Sequence, residues 1–273
     1  MNNIIFENDK IIIKDAKNFD LAQTLDCGQA FRWSQNACGR WSGIADGKYI
    51  ELYKDANDII ILKSNKQDFR DFWYNYFDLD RDYDQIIKAV STNETVKTAA
   101  LYSSGIRLLK QEPWEALCSF IISQNNNIPR IKGIIERLCE NFGKKIDGGY
   151  TFPSYKKIAT LTVEDLAPIR AGFRSKYIID AANRVNRGEI VLDDLKHTDL
   201  DSARERLMTI KGVGPKVADC VLLFGLGHIE AFPRDVWIKR ALEQMFDGVL
   251  PECVLPYAGI VQQYIFFYIR NNT

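Results

Sequence analysis

The spacing of apolar residues changes once along this chain, and that change restricts the fold more than any other feature. A pleated sheet and a helical bundle bury different faces and need different periods. Up to about residue 62 the apolar residues come in short β-branched and aromatic runs. Ile11–Ile13 is one, and segments 41–44 and 49–53 flank Asp46-Gly47, a pair that tolerates the positive φ of a tight hairpin turn. Residues 59–62 follow a turn at 55–58 as a further strand. Phe69, Phe72, Trp73 and Tyr76 then fall at helical spacing, and an Asp-rich stretch at 78–84 leads onward. From about residue 85 the period is helical nearly throughout. Pro113 opens a helix with Trp114, Leu117, Phe120 and Ile121 on one side. Ile128–Phe142 is a second, stopped by Gly143; 171–185 is a third; 198–208 is a fourth, with Thr198 and Asp201 as a capping box. The pattern predicts an α+β chain: a small antiparallel β-sheet domain with helices over residues 1–90, then a mainly α-helical region over 91–273.

Composition narrows the class of partner less than its distribution does. With 273 residues, 46% hydrophobic and 26% charged, the chain can bury a sizeable core and is not largely disordered. Basic and acidic groups balance at 36 each. Segment 128–188, however, carries 12 basic and 6 acidic side chains, a net +6, which suits a surface meeting an anion as well as a solvated face. Six cysteines, at 27, 38, 118, 139, 220 and 253, form no C-x-x-C pair, which argues against a zinc ribbon or a thioredoxin-like motif. The first ten residues lack a signal-peptide core, and apolar stretches such as 221–226 are too short to span a bilayer. The expectation is a reduced, soluble, cytoplasmic monomer without membrane attachment.

The stretch that carries chemistry runs from Leu207 to Cys220. Gly212-Val213-Gly214 lies between two amphipathic patterns, so it is a hairpin between helices. A dinucleotide fingerprint would need a preceding strand and a third glycine, and position 217 is Val. Glycines let backbone N–H groups approach an anion, and the next helix adds its N-terminal dipole, so a nucleic acid phosphate is a natural guest. On that alone a packing turn serves equally well. Lys216 changes the weighing. Pro215 puts it in the first turn of a helix, 217–224, that is apolar on nearly all sides. The dipole and desolvation both disfavour a cation there, which makes a neutral, nucleophilic amine accessible; the alternative is a snorkelling surface lysine. Cys220, four residues on, shares its helix face. Asp235 precedes a resumed helical pattern and is well placed as an N-cap, and a carboxylate near Lys216 could also stabilise developing positive charge.

These residues resemble the helix-hairpin-helix base-excision DNA glycosylases, the HhH-GPD superfamily, and within it the 8-oxoguanine DNA glycosylases of the OGG type. Gly212-Val-Gly-Pro-Lys-Val-Ala-Asp-Cys220 followed by Pro233-x-Asp235 is similar to that family's lysine–aspartate pattern. Cys27-Gly-Gln-Ala-Phe-Arg-Trp33, Gly105-Ile-Arg-Leu-Leu-Lys-Gln-Glu-Pro-Trp-Glu115, Ser123-Gln-Asn-Asn-Asn-Ile-Pro-Arg-Ile131 and Gly172-Phe-Arg174 match further family segments in order, over roughly residues 20–270. The resemblance implies two helical lobes flanking an active-site cleft, and a bifunctional enzyme that excises 8-oxoguanine opposite cytosine and then cleaves the strand.

Carried over by position, Lys216 would attack C1′ and form a Schiff base, with Asp235 stabilising the charge. Gly28 would offer its carbonyl to the N7–H of 8-oxoguanine, Cys220 and Phe266 would sandwich the purine, and Gln262 would bond its Watson–Crick edge. Gln262 and Phe266 are i and i+4, on one helix face, although a C-terminal helix has that spacing in an ordinary core too. Asn125 would fill the gap left in the duplex, Arg130 and Arg174 would hold the orphaned cytosine, and Gly212 and Gly214 would meet phosphate. No four-cysteine iron–sulfur loop exists, since only Cys253 follows Cys220, so no metal is implied, with room for a monovalent cation at the hairpin. Double-stranded DNA is the implied partner, and a nucleoid location follows if the source is prokaryotic. Lys211, Phe173 and Trp237 depart from the family, which often has Pro, Tyr and His there. The alternatives are a monofunctional alkylated-base glycosylase, which would rely on the aspartate and water, and a non-catalytic helix-hairpin-helix DNA-binding protein.

Overall fold

The computed structural model describes residues 3–272. Six antiparallel strands form one sheet in the order β1-β2-β6-β5-β4-β3: β1 Ile4–Phe6, β2 Ile11–Ile13, β3 Trp33–Gln35, β4 Trp41–Ala45, β5 Lys48–Asp55 and β6 Asp58–Leu62. The β4–β5 turn is the expected one, with Ala45 paired to Lys48 and positive φ at Asp46 (47°) and Gly47 (71°). Gly43 has a different reason to be glycine: a Cβ there would lie 2.3 Å from the Trp33 ring, which covers the sheet at that point. Trp33 in turn meets Trp73 and Phe77, and donates its indole N–H to Tyr76 at 3.1 Å. Strands β1 and β3 were not read from the sequence; β3, Trp33–Gln35, has two exposed polar residues and no apolar run to mark it. Nor was a small hairpin, Lys145–Ile146 with Gly149–Tyr150, although Asp147-Gly148 repeats the turn signal of 46–47.

The rest is helical, and two helix starts differ from expectation. Helix Leu200–Met208 is capped by Asp199, which accepts from Ser202 N at 3.0 Å; Thr198 instead donates to the Asp194 carbonyl, so the Thr198–Asp201 box does not form. The third helix begins at Arg174, not 171, because Arg170 and Gly172 both have left-handed φ and cannot continue a helix. Helices Pro113–Ser123 and Ile128–Phe142 stand as read. Two apolar cores result. The sheet core ends at Leu79 and the helical core begins with Tyr83, while Leu109 is lent to the first and Cys27 and Phe31 to the second. A largely but not fully buried pair, Arg32 and Glu115 at 3.4 Å, crosses the joint; desolvation outweighs the arginine and pushes the carboxyl up to about 7. Among the described residues no helix is long and apolar enough to cross a membrane.

Candidate active site

The hairpin joins Leu200–Met208 to Pro215–Phe224, and its two glycines do different work. Gly212 has φ +79°, and a Cβ there would lie 2.3 Å from the Tyr177 ring, so the bare backbone packs on that ring. Beside it Lys211 N–H donates to Asp180 at 2.9 Å, which docks the turn onto helix Arg174–Asn186. Gly214 is extended, and a Cβ on it would meet nothing within 4 Å. It precedes a helix start that no side chain caps, so the first-turn N–H groups stay open to a guest. Arg204 ties the two helices by bonding Asp219 at 2.7 Å.

Lys216 is half-buried on the wall of a cavity of about 770 Å³, within the range of small-molecule sites. Its Nζ donates to Ser123 Oγ at 3.4 Å and lies 5.4 Å from the centre of the Phe120 ring. Residues 217–224 are all buried behind it, as their composition implied. Cys220 lines the same cavity; burial, only partly offset by Lys216, pushes its thiol up to about 11, so it stays protonated and is no competing nucleophile near neutrality. Asp235 is the N-cap of Val236–Phe246, accepting from Ile238 N at 2.8 Å, and it too lines the cavity. One carboxylate thus caps a helix and faces the lysine's chamber.

Gly28 borders the cavity from the N-terminal segment, with φ +86° and Ile128 and Phe266 at 3.4 and 3.8 Å from the place of a Cβ. What holds it there is Gln29, fully buried. Its amide donates to the Thr24 and Arg107 carbonyls and accepts from Leu109 N, all at 2.8–2.9 Å. Sequence analysis passed over Gln29, which stands between Gly28 and Ala30; its neighbours in sequence give no sign of this buried network, whose partners lie up to 80 positions away. Gln262 and Phe266 both line the cavity from helix Ala258–Asn272. Gln262 is buried and its carbonyl accepts from the adjacent Gln263 at 2.7 Å; Gln263 in turn accepts from the Cys27 thiol at 3.5 Å.

The Ser123–Asn127 turn uses nearly every side chain for the backbone. Ser123, Gln124 and Asn126 cap the carbonyls of Phe120, Ile121 and Ile122, and Asn127 caps the next helix by accepting from Arg130 N. Asn125, with φ +48°, is left exposed at the tip and lines the cavity. Arg174 braces the turn from behind, donating to the carbonyls of Gln124, Asn125 and Ala171. Arg174, Arg130 and Gly212 lie outside the cavity lining. Arg130 is exposed near Arg174, whose guanidinium is held below its usual range by burial and then by the Arg130 charge.

Known proteins resemble this chain along most of its length. Two family models match in succession, the N-terminal domain of 8-oxoguanine DNA glycosylase over residues 11–117 and the HhH-GPD superfamily of base excision DNA repair proteins over 118–247. The 8-oxoguanine glycosylase/lyase of Clostridium acetobutylicum, solved with double-stranded DNA containing cytosine opposite 8-oxoG, is 38% identical with a TM-score of 0.92 over 98% of both chains. The chain belongs to the 8-oxoguanine DNA glycosylase family. An N-glycosylase/DNA lyase of Saccharomyces cerevisiae is 34% identical over 81% of this chain, which spans 66% of that relative, a little under two thirds. A 3-methyladenine DNA glycosylase from Archaeoglobus fulgidus, 18% identical with a TM-score of 0.74 over 96% of this chain and 99% of that one, shares the fold.

Within this family the chain's departures gain a physical meaning. Phe173, 48% exposed, lies under the Arg174 guanidinium at 4.4 Å and edge-on to Tyr177. Trp237, 39% exposed, carries Arg240 at 5.6 Å. Each unusual aromatic supports an arginine by its ring face.

Proposed function

We propose that this 8-oxoguanine DNA glycosylase family member is a bifunctional glycosylase and AP lyase acting on 8-oxoguanine opposite cytosine in double-stranded DNA. The observation that carries this reading is the convergence of Lys216, Asp235, Gly28, Cys220, Gln262 and Phe266, from four separate stretches of chain, on one cavity. A base enters by flipping out of the duplex. The Gly28 carbonyl accepts from N7–H, a hydrogen that guanine lacks, so guanine would set acceptor against acceptor. Cys220 and Phe266 flank the ring and Gln262 meets its edge.

Lys216 Nζ then attacks C1′. The C1′–N9 bond breaks with its electron pair leaving on the base, and the Asp235 carboxylate stabilises the positive charge that develops on the sugar. The nitrogen gives up a proton to the departing base, and its lone pair then opens the C1′–O4′ bond, with O4′ taking a proton from solvent, to leave an iminium. Loss of a C2′ proton from it to solvent expels the 3′ phosphate. Gly214 and the open helix start receive a backbone phosphate, Asn125 enters the vacated stack, and Arg130 and Arg174 read the cytosine. For Arg174 that means exchanging the Gln124 and Asn125 carbonyls for base acceptors. The sequence has no four-cysteine cluster loop, so the reading assigns no iron–sulfur cluster; a monovalent cation at the hairpin carbonyls is compatible with it.

Incubation with 8-oxoguanine duplex and borohydride tests the reading. A covalent protein–DNA adduct is expected. Base release without any adduct would point to the monofunctional alternative, and binding without base release to a non-catalytic module.

A further inference from the structure

Lys216 stands between two helix ends of opposite sign. Its own helix, Pro215–Phe224, turns an N-terminus towards it, which disfavours an ammonium. Helix Pro113–Ser123 brings up its C-terminus, which favours one. The second end is within reach of the amine, because Ser123 is the last residue of that helix and its Oγ is 3.4 Å from Nζ. The serine hydroxyl hydrogen is committed to the Phe120 carbonyl at 2.8 Å. Its oxygen therefore meets Lys216 with lone pairs only, an arrangement that suits a full –NH3+ donor better than an amine. The Phe120 ring, 5.4 Å from Nζ, adds a second feature selective for the charged form.

We propose that Ser123 is a positioning residue that seats Lys216 as its ammonium at the end of helix Pro113–Ser123 and so sets the pH at which the amine is released for attack. This rests on the reading of Lys216 as nucleophile. The other groups facing the cavity do not substitute for it. Asp235 also favours the ammonium but is engaged in capping its own helix, whereas Arg234, Lys239 and Arg270 disfavour it. Cys220, on the lysine's own helix, stays a neutral thiol. Ser123 is thus a neutral acceptor, close to Nζ, whose own hydrogen is already placed.

The test is the pH profile of single-turnover Schiff-base trapping on an 8-oxoguanine duplex, for the parent, Ser123→Ala and Ser123→Thr. Removing the acceptor makes the ammonium easier to deprotonate. The midpoint of the alanine profile should fall by roughly half a pH unit, about threefold more neutral amine below the midpoint. DNA affinity should stay the same, and threonine should restore the parent midpoint. A merely structural role would lower the rate at every pH without moving the midpoint. An alanine variant with the parent's midpoint, or a threonine variant that behaves like alanine, overturns the proposal. If the alanine variant does not fold, Ser123→Cys, a weaker acceptor of similar shape, should move the midpoint in the same direction by less, and no movement overturns it equally. A parent that gives no adduct at all overturns the nucleophile reading instead, and this proposal with it.

Discussion

Two turns border the cavity, and they are made of opposite materials. The turn at 123–127 is made of side chains: three bond back to helix carbonyls, one caps the next helix, and Arg174 holds the backbone from behind. What remains free is a single side chain at the tip, Asn125, in a left-handed conformation that asparagine tolerates better than most residues. The turn at 211–214 is made of backbone: Gly212 lies bare against Tyr177, Gly214 carries nothing, and the helix start behind it has no side-chain cap. The first turn can push one polar side chain into a gap. The second can only offer N–H groups to an anion. A duplex with an extruded nucleotide presents both needs at once, an empty stack and a kinked phosphate backbone, so the contrast fits the proposed substrate better than either turn does alone.

The largest effect is expected at the residue between the turns. Lys216→Gln should reduce base release and strand cleavage to below roughly one thousandth of the parent. DNA binding should persist, since phosphate is assigned to backbone; strand nicking at the parent rate would end the assignment. Next in size is Gly212→Ala. A left-handed alanine pressed against the Tyr177 ring should cost about 3 kcal/mol of stability, visible as a melting temperature lower by several degrees, with weaker DNA binding. Ala at Gly214, where there is space and an ordinary φ, should leave the melting temperature near the parent's while weakening binding, and equal effects at both positions would erase the distinction between the two glycines.

On the other turn, Arg174→Ala should relax selection of the opposite base. A good bidentate contact is worth roughly 1–3 kcal/mol, about 5- to 150-fold, so the parent's preference for cytosine over adenine in single-turnover excision should shrink towards unity. Equal parent rates opposite both bases would remove the arginine assignment. The smallest effect belongs to Asn127→Ala, which deletes one helix cap and should cost about 1 kcal/mol. Chemical denaturation reads it, and excision opposite cytosine should be nearly unchanged. A large loss of excision would mean that Asn127, and not Asn125, is the residue that enters the duplex.

How much of this was legible beforehand divides along the chain-distance of each interaction. The 46–47 hairpin, the Pro113 helix start, the Gly143 stop, the Asp235 cap and the shared faces of Lys216 with Cys220 and of Gln262 with Phe266 all follow from residues within a few positions of one another. Local sterics and helix geometry are written into such spacings, and the family motifs could be placed on them. A local error, Thr198 for Asp199, came from two adjacent residues that both cap well. The third helix began late because the two left-handed positions on either side of Ala171, one of them a non-glycine, have no reliable sequence mark.

The sequence by itself determined the two periods, the hairpin, and which residue types could do chemistry. Only the tertiary structure decided what surrounds them. Ser123 reaches Lys216 from 93 positions away, Gln29 seats Gly28 through Arg107 and Leu109, Tyr177 and Asp180 dock the hairpin, and Arg174 spends its guanidinium on a distant turn. The electrostatics of the lysine show why this had to be so. Its own helix dipole is a local property and argues against a charge, whereas the carbonyl end and aromatic ring that favour one belong to another helix, brought near only when both bury their apolar faces in the common core.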